Sequence, residues 1–232
     1  MELDWSEQSP HIRTLYHPWQ PGNGYEENVI AAAEAQLDVC LPAPLRTFYQ
    51  AWGRRKDLTQ TNQSLLGPGE LVGRPDALIF CVENQACSYW AIQREDLEKA
   101  NPPVVMAYAL RDWEMSEISS PLIWTPSHTH VSDFLDTLTY HHALCGGAIH
   151  GGWTELFHHQ ESQNAWLEQH WHRTTVGPMV FGLVDGDYDD LPFYVRNGQA
   201  LAWLGGCSAA ARSVEDIDEI GQALQVTWEH WR

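Results

Sequence analysis

Basic residues are scarce in this chain. Across 232 residues, 13 Lys and Arg stand against 31 Asp and Glu, giving a formal net charge of −18. Nucleic acid and anionic membranes are met through Lys and Arg, so this balance argues against both as partners and favours a basic protein. The same charge also serves solubility. Cysteine is sparse too. Cys40, Cys81, Cys87, Cys145 and Cys207 are odd in number, widely spaced and without a CxxC pair, so they cannot all bridge, and reduced thiols in a cytoplasm are expected. No apolar run approaches the roughly 20 residues that span a bilayer. The opening MELDWSEQ is acidic and lacks the apolar segment of a secretory signal. Also missing are HExxH, GxSxG, the kinase set and a phosphate-cradling glycine loop. Gly67-x-Gly69 and Gly146-Gly147 read as turn glycines.

Apolar residues are present at an ordinary 44 % for a folded domain, enough for a sizeable core without staples. The first 25 residues, rich in Pro, Gly and aromatics, read as irregular, pinned by Trp5, Tyr16 and Trp19. Glu26 and Glu27 suit the first turn of a helix whose inner face is Ile30, Ala33 and Leu37. A second helix starts at Pro44, carries Leu45, Phe48, Tyr49 and Trp52 at i, i+3, i+4 and i+7, and stops at Gly53. Leu65 and Leu66 in the long connection that follows are expected to touch the core. Ala77–Val82 and Cys87–Ile92 read as paired strands around a Glu83-Asn84-Gln85-Ala86 turn. Val104–Tyr108 and Leu122–Trp124 are further strand candidates, and a helix from Ser132 turns Phe134, Leu135 and Leu138 inward.

Gly146-Gly147 and Gly151-Gly152 suggest a break. Beyond it, Trp153, Leu156 and Phe157 suggest a short helix, and Trp166, Leu167, His170 and Trp171 another. Met179–Val184, Phe193–Val195 and Ala200–Leu204 read as strands, the last two joined by an Asn197-Gly198 hairpin turn. A final helix opens near Ser213-x-x-Asp216, with Ile217, Ile220, Leu224, Trp228 and Trp231 as its buried stripe. The order predicts an α+β fold, a mostly antiparallel sheet with helices packed against it. Residues 1–145 form one unit with an irregular N-terminal arm, and residues 146–232 an extension packed on the same body.

Four segments occur in a telling order: EAQLDVCLPAPLRTFYQAWG from Glu34, LIFCVENQACSYWAI from Leu78, the Pro102-Pro103-Val104-Val105 run, and VSDFLDTL from Val131. Together they resemble the SUKH superfamily, which includes bacterial immunity proteins and fungal cell-wall-synthesis regulators. The resemblance covers residues 26–144. It implies the same α+β class and a protein that binds another protein, with no catalytic residue and no cofactor.

Twelve histidines raise the question of a metal. His128-x-His130 and His170-x-His172 have the spacing that grips one ion on a strand, but His128 lies in a loop-like stretch and His170 on an apparent helix. Adjacent pairs such as His141-His142 and His158-His159 diverge by about 100° on a helix. Surface and boundary positions are expected for them, with no metal ligand. The run Asp185-Gly186-Asp187-Tyr188-Asp189-Asp190 starts like a calcium loop, yet Asp190 stands where the turn needs Gly and Arg196 where the shell needs Glu. Glu83 reads as part of a structural turn. Of the 12 tryptophans, Trp52, Trp90 and Trp228 lie on inferred core stripes, and Trp113, among Asp112, Glu114 and Glu117, is the best candidate for an exposed anchor.

The expected function is therefore that of a non-enzymatic, cytoplasmic, acidic binding protein of toxin–antitoxin type, an immunity protein that occludes a cognate bacterial toxin with a basic surface. A regulatory adaptor for a housekeeping protein is the alternative, and a His-dependent hydrolase a further one. The expected contacts are Asp185, Asp187, Asp189, Asp190, Asp216, Asp218, Glu219 and Trp113. Protein purified without a His tag should carry neither zinc nor calcium; elemental analysis showing about one metal per chain would overturn the ligand-spacing argument.

Overall fold

The computed structural model describes residues 10–108, 122–154, 161–174, 193–196, 198–203 and 207–231. The N-terminal arm is not irregular throughout. Pro10–Leu15 form a short helix, α1, which with Tyr16 buries His11, Ile12, Leu15 and Tyr16. Trp19 is 53 % exposed, although its indole Nε1 donates to the Ala51 carbonyl. Helix α2 (Glu27–Leu37) turns Ile30 and Ala33 inward and ends on Asp38 in the left-handed region, φ +51°, where Val39 N–H reaches back to Glu34 O. Helix α3 (Ala43–Trp52) buries Pro44, Leu45, Phe48, Tyr49 and Trp52, as the spacing predicts. It stops at Gly53, as expected. Gly53 is right-handed at φ −58°, and a Cβ there would lie 2.7 Å from the Tyr25 ring. The close approach of Tyr25 excludes a side chain. A one-turn helix α4 (Lys56–Thr59) follows.

Among the described residues the first sheet has six strands, all antiparallel. Strand β3 (Ala77–Val82) pairs with β4 (Ser88–Gln93), β4 with β5 (Val104–Tyr108), and β5 with β6 (Thr125–His128). The other edge of β3 is met by two dipeptide strands, β1 (Ser64–Leu65) and β2 (Val72–Gly73). The β3–β4 turn is the expected one. Ala86 takes φ +56°, and the Glu83 carboxylate accepts from the Gln85 and Cys87 N–H groups, so Glu83 holds a turn. Leu122–Trp124 are not a strand; pairing starts one residue later, at Thr125.

Alternation places Leu78, Phe80, Trp90, Ile92, Val104 and Met106 on one face of this sheet and Ala77, Ile79, Tyr89, Ala91, Val105 and Ala107 on the other. Both faces are buried. The first meets α3 and helix α5 (Val131–His142), with the Phe134 ring 5.0 Å from Phe80 and 5.9 Å from Trp90. The N-terminus of α5 is tied down by Asn101, whose Oδ1 accepts from Ser132 N–H while its Nδ2 donates to Ser132 Oγ.

The paired glycines fall where the chain passes from the first sheet to the second. Helix α5 runs into a wider turn, Ala143–Gly147, in which Gly146 takes φ +101°. Gly151 and Gly152 lie inside strand β7 (His150–Thr154), which also contains Trp153, expected on a helix. A second antiparallel sheet follows, with six strands among the described residues, in which β12 (Glu229–Trp231), β7, β11 (Cys207–Ala211), β10 (Gln199–Trp203), β9 (Phe193–Arg196) and β8 (His172–Thr174) are neighbours in that order. Helix α6 (Glu161–His170) precedes β8, and helix α7 (Val214–Leu224) precedes β12.

Ala200, Ala202 and Ala210 face the core that contains α1, α3 and α5. Leu201, Cys207, Ala209 and Ala211 face α7 and α6 through Ile217, Ile220, Leu224, Leu167 and Trp171. The layers therefore run sheet, helices, sheet, helices, an α+β architecture with two antiparallel sheets. Trp228 and Trp231 do not continue the α7 stripe. Gln225 goes left-handed at φ +56°, Val226 N–H caps back to Gly221 O, and the chain returns as β12. The two indoles then lie on the glycines. A Cβ on Gly151 would sit 2.1 Å from the Trp231 ring, and one on Gly152 2.8 Å from Trp228 Cβ. Met179–Val184, Leu156, Phe157 and Trp5 lie outside the described residues.

Phe48 is wholly buried in the central core. Phe48→Ala should cost about 3–5 kcal/mol, read as a lower urea midpoint at unchanged m-value. An unchanged midpoint would mean that the α3 face has been assigned wrongly.

Candidate functional site

A cleft of about 500 Å³ opens where the N-terminal arm meets the second sheet. Its walls come from three distant parts of the chain: His11 and Thr14 of α1, Tyr140 near the end of α5, and His172, Val195, Arg196, Gly198 and Gln199 of β8 and the β9–β10 hairpin. The hairpin is the expected one, since Gln199 pairs with Arg196 and Gly198 has φ +79°. It is tucked so closely against α1 that a Cβ on Gly198 would lie 2.6 Å from Thr14 Cβ.

One wall is flat. The His11 and Tyr140 rings stack at 3.7 Å with an interplanar angle of 16°. His11 Nε2 lies 2.7 Å from Thr139 Oγ1, and that hydroxyl already donates to the Asp136 carbonyl. The ring therefore donates from Nε2, and Nδ1 carries its lone pair. Burial pushes the His11 pKa down to about 3 and, with Asp136 adding to it, the Tyr140 phenol up to about 12, so both rings are neutral. The opposite wall is cationic. Arg196 Nε donates to Gln199 Oε1 at 3.2 Å, and its guanidinium lies 5.0 Å over the Trp171 ring.

The histidines depart furthest from expectation. His11, His128, His141 and His142 are buried. His128 Nδ1 meets Ser127 Oγ, and its ring packs edge-on against Phe134. His142 Nδ1 donates to Leu58 O at 2.8 Å, tying α5 to α4. His141 Nε2 lies 3.6 Å from Cys145 Sγ, which also accepts from Asn62 Nδ2 at 3.4 Å. A Cys–His pair at rest as thiolate and imidazolium is the strongly activated form. Here burial raises the Cys145 pKa, and burial with the neighbouring His142 lowers that of His141 to about 3. Both groups are held neutral. His130 pairs with Asp133, and His170 with the Trp166 carbonyl and ring. Among the described residues, no group of three His, Cys, Asp or Glu converges as a metal site would require. All five cysteines are free thiols.

Of the expected partner contacts, Asp216, Asp218 and Glu219 lie on α7. Ser213 Oγ accepts from Asp216 N–H at 3.2 Å, so Ser213 caps the helix at the position its sequence predicts. Asp218 and Glu219 are exposed beside Glu215, and Asp218 Oδ1 lies 3.4 Å from His230 Nε2 of β12. Asp185, Asp187, Asp189, Asp190 and Trp113 lie outside the described residues. The cleft itself had one local signal, the Asn-Gly hairpin that carries Arg196; His11 and Tyr140 have none, because only the tertiary fold brings them there.

Compared with known proteins, the chain matches no family model, no curated protein and no solved structure. No helix among the described residues is long and apolar enough to cross a membrane.

The buried histidines set an acid limit. His11, His128, His141 and His142 are held at about 3, 4, 3 and 4 against an ordinary 6.5, in each case chiefly by burial. The unfolded chain binds protons that the folded chain refuses, so stability rises with pH across this window and is complete above 6.5. Below it, each histidine costs about 1.4 kcal/mol per pH unit until its folded pKa is reached. Urea midpoints should stay level from pH 8 to 7 and fall steeply between pH 6.5 and 4. A level midpoint down to pH 5 would show these rings to be solvated.

Proposed function

We propose that this chain is a cytoplasmic, non-enzymatic binding protein of the SUKH type, and within that class an immunity protein that occludes the basic surface of a cognate bacterial toxin. The observation that carries the reading is the outer face of α7. Glu215, Asp218 and Glu219 stand exposed on a helix fixed from beneath by Ile217, Ile220, Gly221 and Leu224. A rigid acidic ridge in a chain of net charge −18 meets a basic cleft without reorganising, with charge raising the encounter rate. The segments that resemble the SUKH superfamily add support: α3, the β3–β4 hairpin, β5 and α5 contribute to one continuous core. The free thiols of all five cysteines accord with a reducing compartment.

The partner is sought first in the protein encoded by the neighbouring gene. Its association should slow steeply as salt is raised, since screening shortens the reach of surface charge to about 8 Å at physiological ionic strength. The triple variant Asp216→Asn, Asp218→Asn, Glu219→Gln should associate several-fold more slowly at low salt and melt as the parent does. Stopped-flow rates that ignore salt and are equal in the two forms would remove α7 from the interface. A secreted toxin as the captured partner supports immunity; a housekeeping protein would make the chain a regulatory adaptor.

A further inference from the structure

We propose that the cleft between the Arg196–Gln199 hairpin and the His11–Tyr140 stack is a binding site for a small organic anion, a single carboxylate on a flat apolar body. The argument starts from Arg196. This chain has 31 carboxylates for 13 basic side chains, and Arg46, Arg55, Arg74 and Lys99 each pair with an acid. Arg196 pairs with none among the described residues. It is half-buried and is held at one edge by Gln199 and across its face by Trp171. Those contacts orient the guanidinium and use Nε, which leaves Nη1 and Nη2 without a partner among the described residues. A planar fork fixed in this way matches a carboxylate.

The rest of the cleft describes the body of the ligand. The neutral His11–Tyr140 stack and Val195 form apolar walls. A volume of about 500 Å³ falls within the range usual for small-molecule sites. The exposed His172 adds a polar contact at the rim. The charge of the ligand is bounded as well. The −18 field of the whole protein repels multiply charged anions more strongly than a monoanion, and the cleft supplies one permanent cation. The site is separate from α7, so its success or failure is independent of the toxin reading.

The experiment is calorimetry on the full chain with three acids of increasing ring size, benzoate, indole-3-acetate and 2-naphthoate, each paired with its carboxamide. At least one acid should bind saturably, with its amide weaker by about tenfold or more, the usual value of a charge-assisted fork. Arg196→Gln should bring that acid down to the level of its amide. Thr14→Trp, which fills the cleft from α1 and keeps Arg196, should abolish both. Should Arg196→Gln fail to fold, Arg196→Lys replaces it and should lose a clear part of the preference for the acid, because the fork is gone. Absence of saturable binding by all three acids overturns the proposal. So does equal binding of acid and amide, or binding that survives both the Arg196 change and Thr14→Trp.

Discussion

Helix α5 has a sheet on one side and the N-terminal arm on the other, so its polar side chains have to find their partners inside the protein. Phe134, Leu135 and Leu138 fill the core above the first sheet. On its other sides Thr139 is wholly buried and takes the His11 ring on its hydroxyl and Tyr16 Oη on its carbonyl. Tyr140 stacks on His11, and His142 donates to Leu58 O. These contacts join α5 to two other segments, the N-terminal arm and α4. They act beside the apolar packing of Ile12, Leu15 and Leu58 in the same core, and losing one would be costly, since an unmet buried polar group costs more than a made one returns.

That constraint links the two halves of the molecule. The turn after α5, Ala143–Gly147, leads directly into β7 of the second sheet, and Ile149 N–H donates to Leu15 O of the arm. The small residues Ala200, Ala202 and Ala210 let the second sheet come close to α1 and α5. The cleft is the place where this contact stops, with α1 and Tyr140 on one side and the Arg196 hairpin on the other. Its walls are set by the packing of whole layers. A ligand there would sense the relation of the layers to each other.

What could be read in the sequence was what depends on near neighbours. The stripe Leu45, Phe48, Tyr49, Trp52 has helical period and no competing signal. The Glu83–Ala86 turn, the Ser213 cap and the Gly198 hairpin are each decided within a few residues. The errors share a cause. Gly151 and Gly152 look like turn residues in one dimension; in three they lie inside a strand, the floor beneath Trp228 and Trp231. Trp228 and Trp231 extend the helical period of α7, yet a left-handed Gln225 intervenes. Histidine is amphipathic enough to be read as surface, and only the packed fold reveals that His141 and His142 are enclosed. The cleft was illegible because His11, Tyr140 and Arg196 share no local pattern.

The strand edges have a bearing on recognition. The outer edge of β3 is already met by the dipeptide strands β1 and β2, and the opposite edge of that sheet, β6, is four residues long and contains Pro126, which has no N–H to offer. The second sheet ends in two three-residue strands, β8 and β12. Among the described residues neither sheet presents a long row of unsatisfied backbone groups. Such edges resist self-pairing into fibres, and they offer a guest chain little to lengthen. A chain docking on these sheets would have to read side chains, because the described edges offer it few backbone groups.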